Sequence, residues 1–253
     1  MSDVTRRFSD RVANYVRYRP DYPVSLLDAL TERGVLRPDA TWADVGAGTG
    51  IWTRQLAGRV AAVWLVEPNR EMRAAGEAGL ADLANVNVRD GKAEATGLPA
   101  GSCDGITAAQ AFHWFDRGAF REECRRVLRP GGVVLLVWNE RLVSGDGFLA
   151  DYESLLRGYA TDYAQVDHRN VTPAVLAEFF GAAGHASVEH DHAQFFDYEG
   201  LEGRLLSSSY APAAGHPQHA PMLEALRRVF DRHAAGGRVA FRYVTRAYWG
   251  TVA

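Results

Sequence analysis

Lysine is almost missing from this 253-residue chain: Lys92 is the only one, and arginine supplies the rest of the positive charge. No lysine- or arginine-rich block occurs and the formal net charge is -3, so nothing in the sequence recruits nucleic-acid phosphate. Cysteine is nearly as scarce. Cys103 and Cys124 cannot build a disulfide framework, which fits a reducing compartment. No apolar run reaches the roughly 20 residues of a membrane-spanning helix. The opening "MSDVTRRFSD" lacks the apolar stretch of a secretion signal. A soluble, cytoplasmic protein without a membrane partner is expected. Internal repeats and low-complexity tracts are absent as well. What the chain does have is 47% hydrophobic residues, enough to bury a full core. Its length suits one α/β domain with insertions, or two small domains.

Apolar runs alternate with amphipathic ones. Strands are expected at 41–45 ("TWADV"), 61–67 ("AAVWLVE"), 85–88, 104–110 ("DGITAAQ") and 133–138 ("VVLLVW"). Helices are expected between them, at 51–57, at 70–79 behind a cap at Asn69, and behind a cap at Asp116. The "RPGG" at 129–132 would end that last helix. Strands apolar on both faces and separated by helices mean a parallel sheet covered on both sides. Residues 24–33 read as a short helix, while Pro20 and Pro23 break any helix before it. Beyond Asn139 the pattern loosens. Helices are expected near 148–159, 172–184, 198–209 and 221–235, with a strand at 187–196. The tail "RVAFRYVTRAYWGTV" alternates as an edge or antiparallel strand does. The reading is one domain over 1–253. It has an N-terminal arm and helix (1–33) and helical insertions (140–170 and 198–235) that close over the top of the sheet as a lid.

"DVGAGTG" stands where the first strand meets a helix. Gly46, Gly48 and Gly50 let the backbone turn sharply and let a ligand approach it closely. The G-x-G-x-G spacing is neither the longer dinucleotide fingerprint nor a phosphate loop, so it suits a ligand without a pyrophosphate. Glu67 follows 21 residues after Gly46, at the end of the second strand. An acid at about that distance is placed to accept both hydroxyls of a ribose.

Together, "DVGAGTG" and "VEPNREM" resemble the class I S-adenosylmethionine-dependent methyltransferases. The resemblance continues through "GKAEATGLPAGSCDGITAAQAFHWFD" and "VLRPGGVVLLVWNE" and spans about residues 10–140. More faintly, "LLSSSYAP" and "FRYVTRAYWG" are similar to the small-molecule branch called type 11, near trans-aconitate-type enzymes. The resemblance implies a doubly wound, Rossmann-like α/β sheet of seven mostly parallel strands, with S-adenosylmethionine as cofactor. It also implies roles. Gly46, Ala47 and Gly48 would pack on the methionine and ribose, Glu67 would hold the ribose, and Pro68 and Asn69 would flank the adenine. Ala93 and Glu94 would meet the adenine edge, and Gln110 the methionine end and sulfonium. Relatives often carry an acidic or small polar residue where Lys92 stands, so Glu94 is expected to take the adenine amino group.

Motifs of other branches are missing. No Asn/Asp-Pro-Pro-aromatic motif follows strand four, neither cysteine follows a proline, and no paired glutamates or clustered carboxylates are evident. A small organic acceptor is therefore expected, and no metal. His113 is the candidate general base, because an imidazole takes a proton near neutral pH. A packing histidine is the alternative. Trp114 is expected to wall the pocket. Tyr15, Tyr18 and Arg19 of the "YVRYRPDYP" arm are candidates to cover cofactor or substrate. Arg141, Arg204 and Tyr210 are candidates to face the acceptor. His185, His190 and His192 are expected to be solvated, not metal-bound. Two rival functions stand beside methyl transfer: nicotinamide-dependent oxidoreduction on the same kind of fold, and cofactor binding without catalysis.

Overall fold

The computed structural model describes residues 12–143, 147–161, 163 and 171–252. The start of the N-terminal arm and parts of the 140–170 insertion lie outside these residues. Seven strands form one sheet: β1 (Thr41–Val45), β2 (Ala62–Val66), β3 (Val86–Arg89), β4 (Cys103–Ala109), β5 (Leu128–Arg141), β6 (Ala186–Phe196) and β7 (Val239–Gly250). Their order is β3-β2-β1-β4-β5-β7-β6. The first five run parallel, and β7 lies antiparallel to both of its neighbours. Chain order thus reverses direction between β1 and β4. In an open α/β sheet, the carboxyl ends of such strands splay apart and leave a crevice for a ligand.

Side-chain alternation divides the core. On β5, Val134, Leu136 and Trp138 face one side, with Phe120 of helix α5 (Arg117–Val127) and Phe179 of α7 (Pro173–Phe180). Leu135 and Val137 face the other side, with Leu26 and Leu30 of α2 (Val24–Glu32) and Leu56 of α3 (Ile51–Ala57). A strand buried on both faces has a period of two and no polar face, which is why these runs read as continuous apolar stretches. Gly105 pairs with Trp42 across β4 and β1, and a Cβ there would come within 2.4 Å of the buried indole. A glycine makes room for that ring.

Caps set the helix starts. Asn69 accepts from the Met72 N–H to open α4 (Arg70–Gly79), and Asp116 accepts from the Ala119 N–H to open α5. Thr172 does the same for α7 through Val175.

Three elements differ from the sequence expectation, and the tail strand takes one of its two expected places. A helix, α1 (Val12–Tyr18), forms just upstream of Pro20 and packs on α8 (Tyr198–Leu206). Helix α5 ends at Val127, before "RPGG", because Leu128 takes an extended conformation and pairs with Cys103 as part of β5. The tail strand β7 is antiparallel to both of its neighbours, one of the two places its alternation allowed, and it lies inside the sheet with β6 at the edge. The helix after Thr172 stops at Phe180, and a 3₁₀ turn covers Gly181–Ala183.

A third apolar cluster joins α6 (Gly147–Tyr159), α8 and α9 (His219–His233) to Phe241 and Tyr243 of β7. No helix among the described residues is long and apolar enough to cross a membrane.

Asp44 lies fully buried under the sheet's carboxyl edge, one residue before Val45 and the glycine turn. The Thr53 hydroxyl donates to its Oδ2 at 2.6 Å. Burial pushes the carboxyl up from the usual 3.8 to about 7, against the opposing bond from Thr53. Between those two values the folded chain keeps a proton that the unfolded chain gives up. The group's contribution to stability therefore falls as pH rises through that window. The shift corresponds to about 4 kcal/mol. Asp44→Asn should remove this slope, so the wild type's unfolding free energy should decline relative to the variant's between about pH 4 and pH 8 in urea titrations. Parallel pH profiles would show that the carboxyl is already ionised in the fold.

Candidate functional site

The glycine turn leaves β1 and enters α3. Gly46 and Gly48 have φ of 69° and 59°, in the left-handed region that favours glycine. A Cβ on Gly46 would meet Ala111 Cβ at 2.8 Å. Both glycines line a cleft at the carboxyl ends of β1, β2 and β4.

Glu67, at the end of β2, is 8% exposed and reaches across to this turn. The Gly48 N–H donates to its Oε2 at 2.8 Å, and the Asn69 N–H donates to its Oε1 at 2.8 Å. Burial raises the carboxyl above its ordinary range, and the two backbone bonds pull the other way. Each carboxylate oxygen still has a lone pair for a further donor. Pro68, Met72, Ala93 and Phe115 add apolar wall to the cleft. Glu94 lines the same cleft, and its Oε1 accepts from the Asp116 N–H at 3.1 Å.

Strand β4 ends at the boundary of a second cavity. Gln110 lines both cavities, together with Tyr15, Gly46, Ala109 and Trp114. Its φ is +59°, the one positive value among the described non-glycine residues. Such a conformation costs about 1–3 kcal/mol and persists where the surroundings enforce it. Here the Gln110 N–H donates to the Val137 carbonyl at 2.9 Å, and its amide Nε2 donates to the Asn139 carbonyl at 3.0 Å. Asn139 is itself tied down. Its Nδ2 donates to the Asp21 carbonyl at 2.9 Å, and its Oδ1 accepts from Thr245 at 2.5 Å.

His113 sits on a 3₁₀ turn, Phe112–Trp114, and lines only the second cavity. Its ring lies 4.8 Å from that of Trp114. Arg19, Arg141, Arg204 and Tyr210 line the same cavity. Arg141 is paired with Glu153 of α6 and bonded to the Tyr163 hydroxyl at 2.9 Å. Burial works against the Glu153 charge, but the bonds from Arg141 and Tyr163 prevail and hold its carboxyl at about 2.

The sequence candidates thus gather into two adjoining cavities, with three differences. Ala47 faces the second cavity and not the Glu67 cleft. Tyr18 lines neither cavity. Its ring lies against Gly203 of α8, and its hydroxyl donates to Glu199 at 3.3 Å. His190 and His192 are partly buried along β6, not solvated, and His192 stacks on Tyr243 and faces Asp21 at 3.4 Å. Among the described residues no group of three or more His, Cys, Asp or Glu could hold a metal. Sequence reasoning missed Asn139, Trp52, Tyr22 and Tyr163. Asn139 carried a usable signal, a polar side chain directly after an apolar strand at the sheet's carboxyl edge.

Comparison with known proteins agrees with this architecture. Residues 43–136 match the family described as "Methyltransferase domain". An uncharacterised methyltransferase of Mycobacterium tuberculosis is 38% identical over 139 residues, 55% of this chain and 54% of that protein. A methyltransferase-like protein of Schizosaccharomyces pombe, also uncharacterised, is 34% identical over 137 residues, 54% of this chain and 52% of that protein. The chain therefore spans about half the length of the curated relatives it matches. Among solved structures, a candidate type II methyltransferase from Anaeromyxobacter dehalogenans superposes with a TM-score of 0.65 at 24% identity, covering 93% of this chain and 98% of that one. A candidate methyltransferase of an antibiotic-biosynthesis pathway from Anabaena variabilis gives 0.63 at 22%, with the same coverage. At these identities the likeness carries the fold. The stretch similar to the methyltransferase domain, residues 43–136, is the one that brings the glycine turn, Glu67, Gln110 and His113 to one edge of the sheet.

Proposed function

We propose that the chain is an S-adenosylmethionine-dependent methyltransferase acting on a small organic molecule. The observation that carries this reading is the pairing of Glu67 with the glycine turn beside a second cavity, the two sharing Gln110 and Trp114 as a common wall. The donor set of the cleft fits the cofactor. A ribose diol needs a carboxylate acceptor, which Glu67 provides, and a flat adenine needs apolar faces, which Pro68, Met72 and Phe115 provide. Gly46 and Gly48 take the left-handed backbone of the turn without strain and put no side chain on the cleft wall. When bound, the cofactor supplies an electrophilic methyl group on a sulfonium.

The chain's own residues do the rest. Glu67 orients the ribose while staying bonded to the turn. Gln110 is held rigid where the two cavities meet, so it would fix the spacing between cofactor and acceptor. The walls of the second cavity would hold the acceptor in place, and positioning of this kind can supply most of the rate. Trp114 presents an aromatic face where the cavities meet, which favours a cation. His113 takes the proton from an alcohol or amine acceptor.

The faint resemblance of "LLSSSYAP" and "FRYVTRAYWG" to the small-molecule branch, near the trans-aconitate-type enzymes, supports this choice of acceptor. These segments contribute Ser209 and Tyr210 to the cavity wall, and Tyr243 to the bonding around Arg204. The insertions act as a lid, since Arg141, Tyr163, Arg204 and Tyr210 reach the acceptor cavity from them. Arg19 and Tyr15 of the arm complete the enclosure.

Two outcomes test the proposal. Glu67→Gln should weaken S-adenosylhomocysteine by about tenfold or more in calorimetry, the cost of a charged hydrogen-bond acceptor. Unchanged affinity would remove the ribose assignment. His113→Ala should cut transfer of labelled methyl into a small-molecule extract by about 10²–10⁴-fold. Its affinity for S-adenosylhomocysteine should stay that of the wild type, since His113 lines only the acceptor cavity. Full transfer by the variant would leave His113 a packing role.

A further inference from the structure

The second cavity is unusually cationic. Arg19, Arg141 and Arg204 line it, and no aspartate or glutamate does, among the described residues. The three arginines are not alike. Arg141 is neutralised by Glu153. Arg204, only 6% exposed on α8, has no carboxylate partner among the described residues. Its Nε donates to the Tyr243 hydroxyl at 3.2 Å and its Nη1 to the Ser208 hydroxyl at 3.2 Å, both neutral groups. Arg19 donates through Nη2 to the Ser207 carbonyl at 3.0 Å, and its buried Nε–H has no hydrogen-bond partner. Its guanidinium lies 4.9 Å above the Tyr15 ring, and that of Arg204 lies 5.3 Å from the Phe241 ring.

Placing two like charges on one cavity wall is costly. Burial and the repulsion of Arg204 both act against the charge on Arg19. The charges persist because guanidinium does not lose its proton in proteins. Two positively charged forks, Arg204 buried and Arg19 half-buried, with spare N–H donors and no carboxylate beside them among the described residues, call for an external anion.

We propose that Arg19 and Arg204 form an oxyanion-binding subsite for the acceptor, whose carboxylate or phosphate group docks there as a handle. The inference rests on the methyltransferase reading and deepens it. Neither arginine belongs to the wall shared with the cofactor cleft, whereas Gln110 and Trp114 do. The handle is therefore held away from the point of transfer, and the methyl goes to another atom of the same molecule. Tyr22, Trp52 and Trp114 supply the apolar surface between.

Calorimetric titration with benzoate, phenyl phosphate and the neutral benzamide tests the subsite. At least one anion should bind about tenfold more tightly than benzamide, as expected for charge-assisted bonds. That arm also tells carboxylate from phosphate. Arg19→Gln and Arg204→Gln should each erase most of the preference. Circular dichroism and the thermal midpoint report whether each variant folds. Arg19 is partly exposed and carries the test if Arg204→Gln does not fold. Saturating S-adenosylhomocysteine should leave anion affinity unchanged. Three results would overturn the proposal: benzamide binding as tightly as both anions, a preference that survives both substitutions, or competition between anion and S-adenosylhomocysteine. The last would assign the arginines to the cofactor's own carboxylate. If S-adenosylhomocysteine fails to bind while the arginine-dependent preference persists, the subsite stands and the methyltransferase reading falls.

Discussion

The buried carboxylate of Glu67 joins two backbone segments, accepting from the Gly48 N–H and from the Asn69 N–H, each at 2.8 Å. One side chain thereby ties the end of β2 to the turn after β1 and to the cap of α4. Everything at this edge of the sheet follows from it. The turn needs left-handed backbone at Gly46 and Gly48, the carboxylate needs donors to offset its burial, and each requirement meets the other. Glu67 also lines the cleft, so the side chain that holds this edge of the sheet together stands in the wall of the proposed ligand site.

The sheet order then decides where chemistry is possible. Because β1 and β4 are the neighbours at which chain direction reverses, Gly46 and Gln110 meet at one edge. Gln110 is strained and doubly hydrogen-bonded, and it divides a carboxylate-lined cleft from an arginine-lined cavity. Those opposite linings suit two different ligands: a neutral nucleoside with hydroxyls on one side, an anion on the other. Segments far apart in sequence supply the second cavity. Arg19 precedes the sheet, and Arg204 and Tyr210 follow six of its strands.

Legibility followed the range of the interactions. Strands β1 to β4 and the caps at Asn69, Asp116 and Thr172 were readable, because apolar runs and capping are local patterns. The glycine turn and Glu67 were readable because a βαβ unit fixes their spacing. Helix α1 was not, since it is held by packing on α8 and not by its own pattern. Nor was the interior place of β7, because alternation reports unequal faces and says nothing of neighbours. Ala47 and Tyr18 show the limit within motifs. A residue's stretch was correctly located, but which cavity it faced, or whether it faced one, depended on the turn and on Gly203. The contrast between paired Arg141 and carboxylate-free Arg204 was invisible in sequence, because Glu153 is brought in by α6.

A crystal structure with S-adenosylhomocysteine bound tests the central claim most directly. The account predicts both ribose hydroxyls within hydrogen-bonding distance of the Glu67 carboxylate, the adenine between Met72 and Phe115, and the sulfur facing the second cavity beside Gln110. A ligand seated elsewhere, or one in the cleft with its ribose turned away from Glu67, would contradict it.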